Sequence, residues 1–292
     1  MAKEITHILI AQEVLECLKK DGQKRLARVL EEHRRIFLDG ALIPDAAYYD
    51  LPPFCLNPNK HRWLSRELHA DALGSNDQKA MRFFSAIAVR PTDWKRKVAF
   101  ASGIVTHTAV DRIFHKTIND YTAAWGETGN VALATHREIE TLIDMVLLAD
   151  LGMAPQAFLR QYLSGPLGDS PAGLFQFYGS LLRKDKAICD RRLRRVLTAA
   201  CSQQRFFLRL FAVRQIRVTL RLLNRLAKGR LQAWNALFYP DDKDGRHVPV
   251  VGKLGFSHLA VDGPFFEEVA RLREAAARTA VKNIRRALIT YG

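Results

Sequence analysis

The chain has 292 residues, 48% of them hydrophobic, enough to bury one large core or two small ones without covalent staples. Its four cysteines, Cys17, Cys55, Cys189 and Cys201, are far apart, form no CxxC pair, and read as buried thiols. The formal charge of +15 is gathered in one place: residues 181–230 hold 15 Lys and Arg against Asp185 and Asp190, and the remainder is close to neutral.

Apolar residues follow a helical period almost throughout, as with Ile8, Val14, Leu15 and Leu18 in the first segment, and no alternating strand pattern stands out. The expected fold class is all-α. Helices are expected over about residues 5–20, 22–37, 63–73, 77–88, 93–117, 130–150, 154–163, 170–183, 187–228 with a break near Ser202, and 263–289. Two irregular stretches interrupt them. One runs from Asp39 to Arg62 and contains Pro44, Pro52, Pro53 and Pro58; the other runs from Tyr239 to Pro264 and contains Asp241, Asp242, Asp244, His247 and His258.

No stretch reaches the roughly 20 apolar residues of a membrane span. The opening MAKEITHILIAQEV is broken by His7 and Gln12 where a secretion signal would run uninterrupted, so a cytoplasmic protein is expected, peripheral at a membrane if the basic segment acts there.

The densest chemistry lies in THTAVDRIFH, where His107, Asp111 and His115 recur every fourth residue and so share one helical face. The next helix carries His136 and Glu140 at the same spacing, with Asp144 one turn further on. Divalent cations need several nitrogen and oxygen donors on a rigid support, and facing helices in bundles commonly provide them as such pairs. A lone pair of this kind is usually a surface ion pair. Two pairs with an extra histidine, embedded among Ile104, Val105, Val110, Leu142, Ile143 and Val146, point to metal instead.

The order of donors along residues 1–150 resembles the zinc-dependent phospholipase C and P1 nuclease superfamily. The pattern is carried by His7 in ITHILIAQ, Asp45 in GALIPDAAY, His61 in NKHRW, His107 with Asp111, His115, and His136 with Glu140. The resemblance implies two or three zinc ions: one held by Asp45, His61, His107 and Asp111, one by His115, His136 and Glu140, and a third by His7, Asp111 and the N-terminal end of the chain. His69 is the alternative to His61. His115 follows Asp111 more closely than in the secreted branches, as in the branch resembling glycosylphosphatidylinositol phospholipase D.

By the same resemblance, residues 1–150 form a metal-binding catalytic half and residues 151–292 a helical half packed on it as one multi-helical domain, with the basic segment as an extension. The implied activity is phosphodiester hydrolysis of the phospholipase C type, in which a metal-bound hydroxide attacks phosphorus and Asp45 orients or deprotonates the water. A P1-type nuclease or nucleotidase is the nearest alternative. A non-catalytic zinc protein that binds membrane or nucleic acid is the third.

Within residues 181–230, Arg214, Arg217, Arg221, Arg225 and Lys228 recur at three or four residue intervals, while Ile216, Leu220, Leu223 and Leu226 fill another sector. This is a basic amphipathic helix. Its field would gather phospholipid head groups or nucleic acid, and Phe206, Phe207 and Phe211, at helical spacing, favour core or bilayer over base stacking.

Overall fold

Helical periodicity governs the chain throughout. A computed structural model describes residues 3–49, 65, 75–89, 93–123, 128–163, 174, 178, 190–239 and 264–291, and no strand occurs among them. The helices are α1 (Glu4–Lys20), α2 (Lys24–Glu32), α3 (Arg34–Ala46), α4 (Ser75–Val89), α5 (Trp94–Ala123), α6 (Gly129–Ala149), α7 (Pro155–Leu163), α8 (Asp190–Phe211), α9 (Arg214–Leu226), α10 (Gln232–Asn235) and α11 (Pro264–Tyr291). The expected helices at 63–73 and 170–183 lie largely outside the described residues, as does most of the loop from Tyr239 to Pro264.

The chain divides into two compact units. One holds residues 7–112, 167–205 and 274–292; the other holds residues 1–6, 113–166 and 206–273. The first has a core of Ile8, Leu15, Leu30, Phe37, Phe83, Phe100, Ile104, Leu197 and Ile284, with the buried ring of Tyr178 against Phe83 and Phe100. The second is built on Phe114, Ile118, Leu142, Leu147, Leu159, Leu208, Phe211 and Val269.

Two expected boundaries move. The stretch from Asp39 was expected to be irregular, yet α3 continues through Pro44 to Ala46. The missing N–H of Pro44 costs one bond in the last turn, while Phe37, Leu38, Ala41, Leu42 and Ile43 keep that helix buried. Asp45 is therefore a helical residue. The break expected near Ser202 falls instead after Phe211, where the backbone turns extended at Val213. The Phe211 carbonyl accepts the Tyr239 N–H at 3.1 Å, and the Gln156 amide donates to the Ala212 carbonyl, so the interrupted helix end is satisfied by distant partners. Cys17 and Cys201 are free thiols that are partly exposed rather than fully buried; Cys55 and Cys189 lie outside the described residues.

Candidate metal centre

Two glycines set the site. A Cβ on Gly40 of α3 would collide with the Phe100 carbonyl of α5, and one on Gly103 of α5 would collide with the Phe37 carbonyl and the Ala41 nitrogen of α3. The two helix backbones therefore touch, an approach that any side chain at either position would prevent. One residue beyond Gly40, the Ala41 carbonyl reaches Nδ1 of His107 at 2.8 Å; one turn beyond Ala41 stands Asp45.

A carbonyl oxygen can only accept, so Nδ1 of His107 carries the proton and donates it to Ala41. The Nε2 lone pair is then left for the opposite side, the arrangement in which a ligand imidazole is held by a partner behind it. That lone pair faces Asp111 Oδ2 at 3.3 Å and Asp45 Oδ1 at 3.9 Å. His7, from α1, stacks on it with ring centroids 4.1 Å apart and planes 9° from parallel. Its own Nε2 lies 3.5 Å from Asp111 Oδ1 and 3.8 Å from Asp45 Oδ2. Each carboxylate thus offers one oxygen to each imidazole.

The group is buried, with His7 and His107 at 0% exposure and Asp45 at 1%. Burial, reinforced by the neighbouring His7, pushes the pKa of His107 below its ordinary value, so His107 favours the neutral form that a metal requires. Neither ring nitrogen of His7 has a hydrogen-bond partner among the described residues. Leaving such a group unsatisfied in a dry interior costs about 1–3 kcal/mol. A divalent cation answers both demands, because it uses the unprotonated nitrogens and neutralises the paired carboxylates. Donor atoms of His7, Asp45 and His107 all lie within 4.8 Å of one another, so this cluster could hold a metal ion, and its donors suit zinc.

The other unit holds a second donor group. On α6, His136 Nε2 approaches Glu140 Oε1 at 3.2 Å across one helical turn. The ring of His115, on the same helix as His107 and Asp111, lies 5.7 Å from that of His136, centroid to centroid. Burial alone would raise the Glu140 carboxyl. Positive charge and hydrogen bonding around it, with His136 and His115 contributing, outweigh this and hold it down to about 2. Glu140 is an anion at any working pH.

Asp144 neither supports a ligand histidine nor lies on the surface. It is fully buried, and its Oδ1 accepts from the N–H of Thr6 at 2.8 Å and from the Thr6 hydroxyl at 2.6 Å, while Oδ2 accepts from the Tyr239 hydroxyl at 2.6 Å. Thr6 sits in the first turn of α1, where N–H groups lack helical partners, so Asp144 caps that helix from α6. Lys3, also buried, donates to Thr141 Oγ1 at 2.9 Å and to the Leu237 carbonyl at 2.6 Å. These contacts tie down the segment immediately before His7.

Of the residues expected at the site, His7, Asp45, His107 and Asp111 come together in one unit, and His115, His136 and Glu140 in the other. His61 and its alternative His69 lie outside the described residues, as do His247 and His258. The Ala41 carbonyl, Thr6, Lys3 and Tyr239 were not anticipated, since backbone acceptors and pairings across long sequence separations leave no spacing signal. Gly103, an isolated glycine inside a helical pattern, is a visible trace of the close crossing, whereas Gly40 falls in the stretch expected to be irregular.

Buried histidine and carboxylate groups on helical segments are the arrangement by which helical proteins commonly hold metal ions. The family model for zinc dependent phospholipase C matches residues 6–182, and the chain belongs to that family. No curated protein and no solved structure matches it.

Proposed function

We propose that the chain hydrolyses the phosphodiester of a phospholipid head group in the manner of a zinc-dependent phospholipase C. The observation that carries this is the buried cluster of His7, Asp45 and His107 with Asp111 at its edge, the tautomer of His107 being fixed by Ala41. Family membership supports a metal-dependent hydrolase of phosphodiesters and a phospholipid-type substrate.

His107, Asp111, Asp45 and His7 would hold zinc, with His61 as a further ligand implied by the family resemblance; His115, His136 and Glu140 would hold another ion. Zinc, when bound, neutralises non-bridging phosphate oxygens and lowers the pKa of coordinated water to about 7. Asp45 orients the attacking water or takes its proton, and the wall of apolar residues around α5 excludes bulk solvent. Burial favours neutral His107, and its bond to Ala41 places the proton on Nδ1 and so keeps Nε2 as the available donor nitrogen.

The test is metal analysis of the purified protein combined with parallel assays on a short-chain phospholipid, a chromogenic phosphodiester and single-stranded DNA. Bound zinc, loss of turnover on chelation, recovery on adding zinc, and preference for the phospholipid are expected. Full turnover by metal-stripped protein would refute the reading, and preference for DNA would replace it with a nuclease.

A further inference from the structure

The basic helix α9 departs from the usual surface helix. Its inward residues include Arg217, which is 4% exposed and donates to the Tyr239 carbonyl at 2.9 Å. Its outward residues include Val218, Leu222 and Leu226, spaced every fourth residue, at 55%, 57% and 73% exposure, with Leu223 beside them at 46%. A soluble helix normally buries its aliphatic sector and shows its arginines to water. Here a ridge of aliphatic side chains is left in water, while an arginine is consumed inside.

The charge around that ridge is of one sign. Residues 206–239 carry seven Lys and Arg and no Asp or Glu. Arg225 and Lys228 are exposed next to the ridge, and the turn that follows α9 is fixed by Asn224 Oδ1 accepting the Leu231 N–H at 2.8 Å. An exposed apolar sector flanked by cations is what a helix lying in the plane of a lipid head-group layer requires. No helix among the described residues is long and apolar enough to cross a membrane, which fits a helix that lies on one.

We propose that α9 is a membrane-docking helix: Val218, Leu222, Leu223 and Leu226 enter the head-group and acyl boundary of an anionic bilayer, and Arg225 and Lys228 pair with its phosphates. Cations alone would suit nucleic acid equally well. The exposed aliphatic ridge decides against it, because single strands are gripped by stacking on aromatic rings and α9 has none. The proposal deepens the phospholipid reading and rests on it for the choice of surface, since a phospholipase must work where its substrate is packed.

Co-sedimentation of the full chain with phosphatidylcholine vesicles, with and without phosphatidylglycerol, tests it. The wild-type chain is expected to bind the phosphatidylglycerol vesicles and to release them at high salt. Leu222→Asp with Leu226→Asp lowers the partition coefficient about tenfold or more, and Arg225→Gln with Lys228→Gln lowers it by about fivefold per charge. Both double variants keep wild-type turnover of a soluble chromogenic phosphodiester. Unchanged partitioning of the Leu222/Leu226 variant, or binding of single-stranded DNA without binding of vesicles, overturns the proposal. Vesicle binding without turnover of phospholipid leaves docking intact and removes the catalytic reading instead, so the two failures are distinguishable.

Discussion

Each donor group contains a histidine and a carboxylate four residues apart on one helix, and the two differ in what joins that pair, His115 in one and His7 with Asp45 in the other. His136 and Glu140 meet because they are four residues apart on one helix, a contact that any helix with that spacing makes. His7, Asp45, His107 and Asp111 meet because α1, α3 and α5 converge, and because Gly40 and Gly103 let two backbones touch. The first kind of contact is local and partly open, with the His136 side chain 20% exposed; the second has His7, Asp45 and His107 fully buried, only Asp111 reaching the edge at 13%, and is backed by the Ala41 carbonyl. A buried group held from behind is preorganised, whereas a local pair at the edge of solvent can rearrange. The buried group should therefore dominate metal retention and catalysis.

Alanine substitutions put that ranking at risk. His107→Ala removes a donor from the interior and leaves the Ala41 carbonyl without its partner. Turnover of a chromogenic phosphodiester should fall by about a thousandfold, equivalent to about 4 kcal/mol, with loss of bound zinc by elemental analysis. His136→Ala should lose less of both. Equal losses would mean that the local pair is as important as the convergent group.

Gly103→Ala attacks the same group without touching a donor. Its Cβ must displace the Phe37 carbonyl, which belongs to a helix and has no side-chain freedom to give. Overpacking of this kind should cost about 3 kcal/mol in urea unfolding, and the retreat of α3 from α5 should lengthen the His107 to Ala41 bond and reduce zinc content. A variant with wild-type stability and full zinc would show that the crossing tolerates a side chain.

Spacing alone made the periodic part of this architecture legible, whereas His7 and Asp45 joined His107 and Asp111 only through the family resemblance. His107, Asp111 and His115 at successive turns, and His136 with Glu140, are legible because a helix turns a spacing of four into a shared face. The end of α8 after Phe211 was not, since no Gly or Pro marks it and the groups that satisfy it, Tyr239 and Gln156, are remote in the chain. Nor was the orientation of α9. Its composition announces a basic amphipathic helix, but Arg217 turns inward because the Tyr239 carbonyl is there to receive it, and Leu223 and Leu226 are left outside as a result. The helical character of Asp45 was hidden by Pro44, whose usual meaning as a breaker gave way to burial of the preceding turn.

The smallest expected effect concerns the residue that anchors α1 just ahead of His7. Asn at position 144 can still accept from Thr6 but meets the Tyr239 hydroxyl with an amide nitrogen in place of an acceptor oxygen, so Asp144→Asn should destabilise the fold by about 2 kcal/mol. The loss should depend on pH in a particular direction. Burial pushes the Asp144 carboxyl up from its ordinary 3.8 to about 6, despite the opposing pull of Lys3 and the Thr6 and Tyr239 bonds. The folded state thus holds a proton there more tightly than the unfolded state. The stabilisation linked to that proton is fully present below about pH 4 and is lost as pH rises through 6. Lys3 runs the other way. Burial lowers it to about 8, so its charged form opposes folding below that value, and the opposition is relieved as pH climbs towards 10.5. Asn does not titrate, and the metal ligands are common to both proteins. The stability gap between wild type and Asp144→Asn should therefore be wider at pH 4.5 than at pH 7.5, measured by urea unfolding of both chains in parallel. A gap that widens with pH would mean that Asp144 is ionised at acid pH and that the α1 anchor is a charge pair throughout.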